Sequence, residues 1–361
     1  MSKKLLRFLG IWTMGVVVAT SSLVWAQTIT TFDAPGAGTA PAEGTVVEQT
    51  LQTGEIVGFY IDANFVNHGY LRSKQGTFTT FDAPGAGTGF NQGTLAFGIN
   101  ENGTITGFYR DANSAQHSYL RSKQGTFTTF DVPGAKRTSA SAINPSGVIS
   151  GNYIDANDVR HGFVRAKDGT ITSFDPVGSA FTGRNEMAIN PAGTISIPFV
   201  DATGLSHGAV RAKDGTITNF DAPGAGTDGT MGQGTSTSMI STVGTIPGSY
   251  ADSSNVNHGF VRDPDGTITT FDVPAAATGP GQGTLPASIN PVGVITGGYY
   301  DANFALHGFV RDPHGTITNF DAPGAGTGPD QGTVPHSITP SGRIAGYYVD
   351  SNYVNHGFLR K

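Results

Sequence analysis

Histidine, aspartate and arginine recur in this sequence in a fixed order, and they are residue types that ligate metals, transfer protons or bind anions. Each repeated His follows an Asp by six residues and precedes an Arg by four. The seven copies are His68, His117, His161, His207, His258, His307 and His356. One such group would suggest a metal or acid–base site. Seven copies on packed β-sheets lie about 10 Å or more apart and cannot meet at one ion, so we expect no metal site among them.

The repeated residues instead predict a structural hydrogen-bond network within each repeat. We expect His68 to face Asp62 across a strand hairpin and to hydrogen-bond with it. Asp82, which ends a Phe-Asp pair fourteen residues after this His, and Arg72 are candidates for the same network. Polar groups that become buried need partners of this kind. Repeated ligand sites between neighbouring repeats, as in a repeat lectin, are the alternative.

The Asp-Ala-Asn segments, such as Asp62-Ala63-Asn64, place carboxylate and amide oxygens two residues apart. Calcium prefers oxygen ligands of this type, but no acidic residue closes the loop as the last Glu of an EF-hand does. Asp and Asn are also ordinary turn residues. We therefore expect turns at these positions and no cofactor, with calcium as the alternative.

A catalytic site would be expected where the sevenfold pattern breaks. Glu48, Arg184, Glu186 and His336 stand where other repeats carry Ser, Ala, Phe or Met. A lone His with two Glu suits acid–base or metal-assisted chemistry at a channel mouth, as in a lyase or hydrolase. However, the sequence has no paired-His zinc motif. We predict a non-catalytic protein, with Glu48, Glu186 and His336 as the catalytic residues of the alternative.

Short β-strands are the elements that must position these residues. The sequence repeats with a period near 49 residues, within the range of propellers and solenoids. Each repeat holds four β-branched and aromatic segments between Gly, Pro, Asn and Asp turns. In one repeat, the first segment ends at Ile99, and the others are Ile105–Asp111, His117–Arg121 and Gly125–Asp131. Four antiparallel strands in each of seven repeats, of about 44–51 residues, predict an all-β, seven-bladed β-propeller over residues 27–361.

The ends of the chain predict how this propeller closes. Thr28–Asp33 has the pattern of a fourth strand, but the three strands that should precede it are missing. His356–Arg360 has the pattern of a third strand, but no fourth strand follows it. Pairing the N-terminal strand with the C-terminal blade completes that blade and closes the ring non-covalently. An open solenoid would instead need polar capping repeats at both ends.

One segment of the repeat varies in length while the others are constant. The interval from the Phe-Asp pair to the next turn glycine spans 16 to 23 residues and is shortest after Asp131 and Asp175. It holds the loop from strand 4 to the next strand 1, on the same face as the strand 2–3 hairpin. Variable loops on a rigid scaffold commonly carry binding, so we expect a notch there for a polar or anionic glycan or peptide. The predicted ligand-binding residues are Lys136, Arg137, Arg184 and Glu186.

The first 26 residues predict a secretory signal peptide. Lys3, Lys4 and Arg7 precede an apolar core, Phe8–Val24, and Val24-Trp25-Ala26 fits a cleavage site. After cleavage we expect no transmembrane segment, and a soluble, secreted or periplasmic monomer. The sequence has no Cys, so disulfides cannot stabilise the exported chain.

Composition excludes two broad classes of protein. With 52 Gly, 20 Pro and only 13% charged residues, the chain lacks the helix-forming residues of a bundle or coiled coil. Its formal net charge of −6 leaves no Lys and Arg excess to neutralise phosphates. We therefore expect no nucleic-acid partner.

The repeated His-Gly-Phe, Ile-Asn-x-x-Gly and Gly-x-Tyr motifs resemble those of bacterial extracellular HAF-type repeat proteins. The resemblance covers residues 27–361 and implies export and a β repeat architecture, but no activity. Together with the residues, it leads us to predict an exported, non-catalytic binding or interaction scaffold that uses its variable loop face. A carbohydrate-active lyase or hydrolase and a repeat lectin are the alternatives.

Overall fold

The computed structural model describes residues 28–183 and 187–361. The predicted signal peptide, Arg184 and Glu186 lie outside these residues. The described chain forms 29 β-strands and one short 3-10 helix, Gly229–Met231, so the fold is all-β, as the sequence predicts. Among these residues no helix has the length and apolar character that crossing a lipid bilayer requires.

The strands repeat in lengths of seven, six, six and four residues over most of the chain. They are β1 (Ile29–Phe32), β2 (Gly44–Thr50), β3 (Ile56–Ile61), β4 (Asn67–Arg72), β5 (Phe78–Phe81), β6 (Gly93–Ile99), β7 (Ile105–Arg110), β8 (Gln116–Arg121), β9 (Phe127–Phe130), β10 (Arg137–Ile143), β11 (Ile149–Ile154), β12 (Arg160–Arg165), β13 (Ile171–Phe174), β14 (Ser179–Thr182), β15 (Ala188–Ile189), β16 (Ile195–Asp201), β17 (Ser206–Arg211), β18 (Ile217–Phe220), β19 (Gly234–Thr237), β20 (Ile246–Ala251), β21 (Asn257–Arg262), β22 (Ile268–Phe271), β23 (Gly283–Ile289), β24 (Ile295–Tyr300), β25 (Leu306–Arg311), β26 (Ile317–Phe320), β27 (Gly332–Ile338), β28 (Ile344–Val349) and β29 (Asn355–Arg360).

Each repeat folds into an antiparallel run of strands, as β2 to β5 illustrate by pairing in chain order. The turn between β4 and β5 contains Gly76 at φ 91°, a left-handed conformation that glycine adopts without strain. The ring of Phe81 in β5 lies over Gly69 in β4, where a Cβ atom would be 2.4 Å from the ring. This close approach explains why a glycine follows the repeated His in six of the seven repeats, the exception being Ser118 after His117.

Neighbouring repeats are joined by an isolated parallel bridge and by a shared apolar core. The bridge joins the start of one repeat's third strand to the start of the next repeat's first strand, as Asn67 pairs with Gly93. In the core between these repeats, Val57 packs in one cluster with Ile105 and Tyr119. Burial of apolar side chains between successive sheets therefore holds the repeats together.

The two ends of the chain meet and close the sheet. β1 pairs antiparallel with β29 over four residue pairs, and β2 forms a parallel bridge with β29 through Gly44 and Asn355. A buried cluster joins Ala34 and Val47 from the first repeat to Leu359 from the last. The structure thus makes the contact between the terminal strands that the sequence predicts.

Candidate functional site

The repeated His lies between two carboxylates and on an aromatic ring. The Nδ1 atom of His68 is 2.9 and 3.0 Å from the two carboxylate oxygens of Asp82, whereas its Nε2 atom is 3.6 Å from Asp62. Its ring stacks on Tyr60 with centroids 4.8 Å apart. The short hydrogen bond is therefore made with Asp82, at the end of the fourth strand, and not with Asp62 as the sequence suggests. The same His–Asp contact recurs in His117–Asp131, His161–Asp175, His207–Asp221, His258–Asp272, His307–Asp321 and His356–Asp33.

Asp62 instead organises the hairpin turn that follows β3. Its Oδ1 atom accepts hydrogen bonds from the backbone N–H groups of Asn64 at 2.9 Å and Val66 at 2.8 Å. This is the geometry of a turn-forming Asp. Within the described residues, no three His, Asp or Glu side chains converge in a way that would hold a metal ion.

The repeated Arg lies outside the His–Asp network. The guanidinium group of Arg72 lies 4.4 Å from the ring centroid of Phe32, which belongs to β1, and 5.8 Å from that of Phe78. A cation over an aromatic face is attracted by the ring quadrupole. Because the ring comes from the neighbouring fourth strand, each Arg connects successive repeats. The equivalent pairs are Arg121–Phe81, Arg165–Phe130, Arg211–Phe174, Arg262–Phe220, Arg311–Phe271 and Arg360–Phe320.

The pKa shifts of His68 and Asp201 make the free energy of unfolding depend on pH. The hydrogen bond that His68 donates to Asp82 raises the pKa of His68 above 6.5. The stabilisation from this contact is therefore complete below pH 6.5 and is lost as the pH rises through the raised value. Hydrogen bonds from Thr203 lower the pKa of Asp201 from 3.8 to about 2. The stabilisation from ionised Asp201 is complete above pH 3.8 and is lost as the pH falls towards 2. We expect the free energy of unfolding to be greatest between about pH 4 and 6.5.

Urea unfolding at a series of pH values measures this window. His68→Gln keeps a polar side chain but cannot become charged, so its stability should fall less steeply above pH 6.5 than that of the wild type. Identical slopes for the two proteins would show that His68 titrates alike in the folded and unfolded chains.

Glu48 and His336 meet in a small central cavity of about 130 Å³. Each lies at a bulge in a first strand, Glu48 in β2 and His336 in β27, where the register with the next strand shifts by one residue. The Nδ1 atom of His336 is 2.8 Å from the carbonyl oxygen of Glu48 and 3.4 Å from its Oε2 atom. A proton at Nδ1, donated to the carbonyl, leaves Nε2 as a proton acceptor. The third residue of the predicted catalytic set, Glu186, lies outside the described residues.

A cavity of about 290 Å³ on the variable loop face brings together three arginines, Arg110, Arg137 and Arg160. We call it the three-arginine cavity. It lies next to the shortened loop that leads into β10. None of the described residues that line it is acidic. The other lining residues are Phe97, Phe108, Gln116, Ser139, Ala140, Ser141, Asn152, Ile154 and Gly183.

Strand register places the three arginines in one row across the sheet. Arg110 pairs with Gln116, which bridges to Arg137 in the next repeat. Arg137 pairs in turn with Ile154, and Ile154 with Arg160. Residues directly opposite each other on paired strands have their side chains on the same face. With strands about 4.8 Å apart, each arginine lies about 10 Å along the row from the next.

Within residues 28–183 and 187–361, no carboxylate forms an ion pair with an arginine of this row, and neutral oxygens hold two of the three side chains. Arg110 donates hydrogen bonds to the backbone and side-chain oxygens of Asn91 at 2.9 and 2.6 Å, and Arg160 donates to the backbone oxygen of Gly183 at 3.4 Å. Burial lowers the pKa of both Arg110 and Arg160, and the charge of Arg137 lowers them further. The charge of Arg137 therefore repels those of Arg110 and Arg160, and an anion beside Arg137 would relieve that repulsion.

The cavity contains one of the four predicted ligand-binding residues. Arg137 lines it, whereas Lys136 forms an ion pair with Asp158 at 2.8 Å and is not among the lining residues. Arg184 and Glu186 lie outside the described residues. Arg110 and Arg160 were not predicted. The signal was present, because the positions before the repeated Asp and before the repeated His are uncharged in the other repeats.

Solved structures of β-propeller proteins are similar to this chain in fold. No protein-family model and no curated protein matches the chain. Streptogramin B lyase is 15% identical, with a TM-score of 0.57 over 93% of this chain and 98% of that one. The β-propeller domain of the Trilobed protease from Pyrococcus furiosus is 9% identical, with a TM-score of 0.57 over 88% and 97%. The chain is thus an all-β, closed structure of repeated strands, similar in fold to β-propeller proteins.

Proposed function

We propose that this protein is an exported, non-catalytic binding scaffold with seven four-stranded propeller blades, and that it binds an anionic ligand in the three-arginine cavity. The observation that carries the proposal is that Arg110, Arg137 and Arg160 line one cavity, with no acidic lining residue among those described. The anionic groups of a glycan, a peptide or a small organic acid all fit this chemistry.

Arginine suits this task because its planar guanidinium group forms paired hydrogen bonds with carboxylates, sulfates and phosphates. Gln116, Ser139 and Asn152 line the same cavity and add neutral polar groups. The chain as a whole carries a formal charge of −6, so a positive cavity stands out against an acidic surface. Such a local field attracts small anions and repels strongly basic partners.

The remaining parts of the proposal rest on the sequence pattern. Seven blades account for the seven repeated His residues and for the four-strand unit seen in β2–β5. Export rests on the basic and apolar pattern of residues 1–26, and the HAF-type motifs agree with it.

A titration of sulfate and of phosphate into the protein at low ionic strength tests the binding proposal. We expect saturable binding that weakens as sodium chloride is added, because the screening length falls from about 30 Å at 0.01 M to about 10 Å at 0.1 M salt. An absence of saturable binding of either anion at the lowest salt would reject the three-arginine cavity as an anion site.

A carbohydrate-active lyase or hydrolase is the second candidate, and the contact between His336 and Glu48 favours it. His336 with its Nδ1–H held by a carbonyl oxygen is arranged as a proton acceptor at Nε2. The discriminating measurement is product formation from a panel of polysaccharides. If the wild type cleaves a polysaccharide and His336→Ala does not, the protein is an enzyme. If no polysaccharide is cleaved, the binding scaffold is the function that stands.

A further inference from the structure

A second cavity, of about 600 Å³, adjoins the three-arginine cavity and has an apolar wall. The two cavities share Ile154 and Arg160 as lining residues. Phe181 and Val200 continue the wall away from the arginines. We call this second space the apolar cavity. Its volume lies within the range of about 300–1,000 Å³ that is typical of small-molecule sites.

Strand register continues the arginine row directly into this wall. Arg160 bridges to Phe181, and Phe181 pairs with Val200. Only one strand spacing, about 4.8 Å, therefore separates the last arginine from the phenylalanine. The side chain of Phe181 is 48% exposed, although a Phe of this size is normally buried. Aromatic side chains commonly line small-molecule sites, so this exposed ring is available to contact a ligand.

Glycines form much of the remaining lining of the apolar cavity, and its carboxylate is paired. Gly204, Gly229 and Gly232 contribute no side chains to its lining, and a Cβ atom placed on Gly232 would meet no atom within 4 Å. The one carboxylate of the lining, Asp158, is paired with Lys136 at 2.8 Å. The cavity therefore offers apolar contact next to a cationic site rather than a second charged site.

We propose that the ligand is an amphiphilic organic anion. Its carboxylate, sulfate or phosphate group lies in the three-arginine cavity beside Arg137 and an adjacent arginine, and its apolar chain or ring lies over Phe181 in the apolar cavity. This inference rests on the proposed function and adds the chemical class of the ligand. The anionic group satisfies the guanidinium groups, and the apolar part removes the exposed ring from water.

A series of straight-chain carboxylates, from acetate to octanoate, tests the inference by calorimetric or NMR titration. We expect affinity to rise roughly fourfold for each methylene group that becomes buried, which follows from the usual transfer free energy of a CH₂ group. Octanamide, which has the same chain but no charge, should bind far more weakly than octanoate, because it lacks the charge-assisted hydrogen bonds.

Two variants of Phe181 show whether the chain lies in the apolar cavity. Phe181→Ser should flatten the rise of affinity with chain length while leaving the binding of acetate and sulfate unchanged. Phe181→Leu should keep most of the rise, because it retains an apolar side chain. The half-exposed position lets both variants fold, which melting curves check.

The outcomes separate this inference from the proposed function. A flat chain-length series with sulfate still bound would overturn the amphiphilic ligand and leave the anion site intact. A rise that is equally steep in Phe181→Ser, or octanamide binding as tightly as octanoate, would also overturn it. If neither sulfate nor any carboxylate binds, the proposed function itself fails.

Discussion

Deletion of residues 28–33 is expected to lower the free energy of unfolding by roughly 3–5 kcal/mol, the combined cost of a lost Phe contact, a lost Ile contact and the strand's hydrogen bonds. β1 closes the sheet by pairing with β29. Its Phe32 ring lies over Gly357 and beneath the guanidinium group of Arg72, so one side chain contacts both the last and the first repeat. Without β1, the edge of β29 is unpaired and open to aggregation.

A circular permutant provides the matched control for this deletion. The permutant begins at Ala34 and carries residues 28–33 after Lys361, joined by a short turn like those of the other repeats. The join is short because the Lys361 N–H already donates a hydrogen bond to the Thr28 carbonyl at 3.0 Å. We expect the permutant to unfold in urea at or above the wild-type midpoint. A deletion variant that unfolds at the wild-type midpoint would contradict closure through β1.

Replacement of Arg110, Arg137 and Arg160 together by Ala should weaken sulfate binding at least roughly hundredfold. Each charge-assisted hydrogen bond contributes about 1.5–3 kcal/mol, and the loss of even two such bonds accounts for a change of this size. The fold should remain, because Arg137 is exposed and the other two side chains are half-buried at the rim of the sheet. The melting temperature should therefore change little, whereas the sulfate titration should show almost no binding.

A second triple variant removes the same charge elsewhere. Lys74, Lys123 and Lys213 are exposed residues in strand 3–4 turns, away from the three-arginine cavity. Their replacement by Ala lowers the net charge by the same amount, so it controls for long-range attraction of sulfate. We expect a change in affinity of less than about threefold, since exposed charges are screened by salt. If both triple variants lose affinity for sulfate equally, net charge and not the three-arginine cavity accounts for the binding.

Much of the fold follows from constant spacing in the sequence. The predicted strands Ile105–Asp111 and His117–Arg121 correspond to β7 and β8, which begin and end within one residue of these limits. Turn glycines and alternating β-branched residues define such short strands locally. The incomplete strand patterns at the two ends of the chain also predicted the pairing of β1 with β29.

Contacts between repeats could not be predicted in the same way. The sequence places Arg72 and Asp82 at equal intervals in every repeat, but spacing does not tell whether a side chain contacts its own repeat or the one before it. Arg72 lies over Phe32 of the preceding fourth strand, which a repeat-by-repeat analysis cannot show. Likewise, Asp62 and Asp82 are both near His68, and only the geometry of the sheet gives the shorter contact to Asp82.

Of the three arginines in the candidate site, only Arg137 was predicted from the sequence. Loop lengths pointed to the sector around Arg137, because the shortest connections remove material there. Arg110 and Arg160 lie on strands of constant length, so loop lengths gave no sign of them. The approach of Arg110 to Arg137 depends on the parallel bridge from Gln116 to Arg137, a contact between repeats. The approach of Arg160 depends on the register of β10, β11 and β12.

The location of a bound anion tests the central claim most directly. A crystal of the protein soaked in selenate, the heavier analogue of sulfate, can be measured at the selenium absorption edge. We predict an anomalous peak inside the three-arginine cavity, within hydrogen-bonding distance, about 3 Å, of guanidinium nitrogens of Arg137 and a second arginine. An empty cavity, with selenate bound only at scattered surface lysines, would contradict the assignment of this cavity as the ligand site.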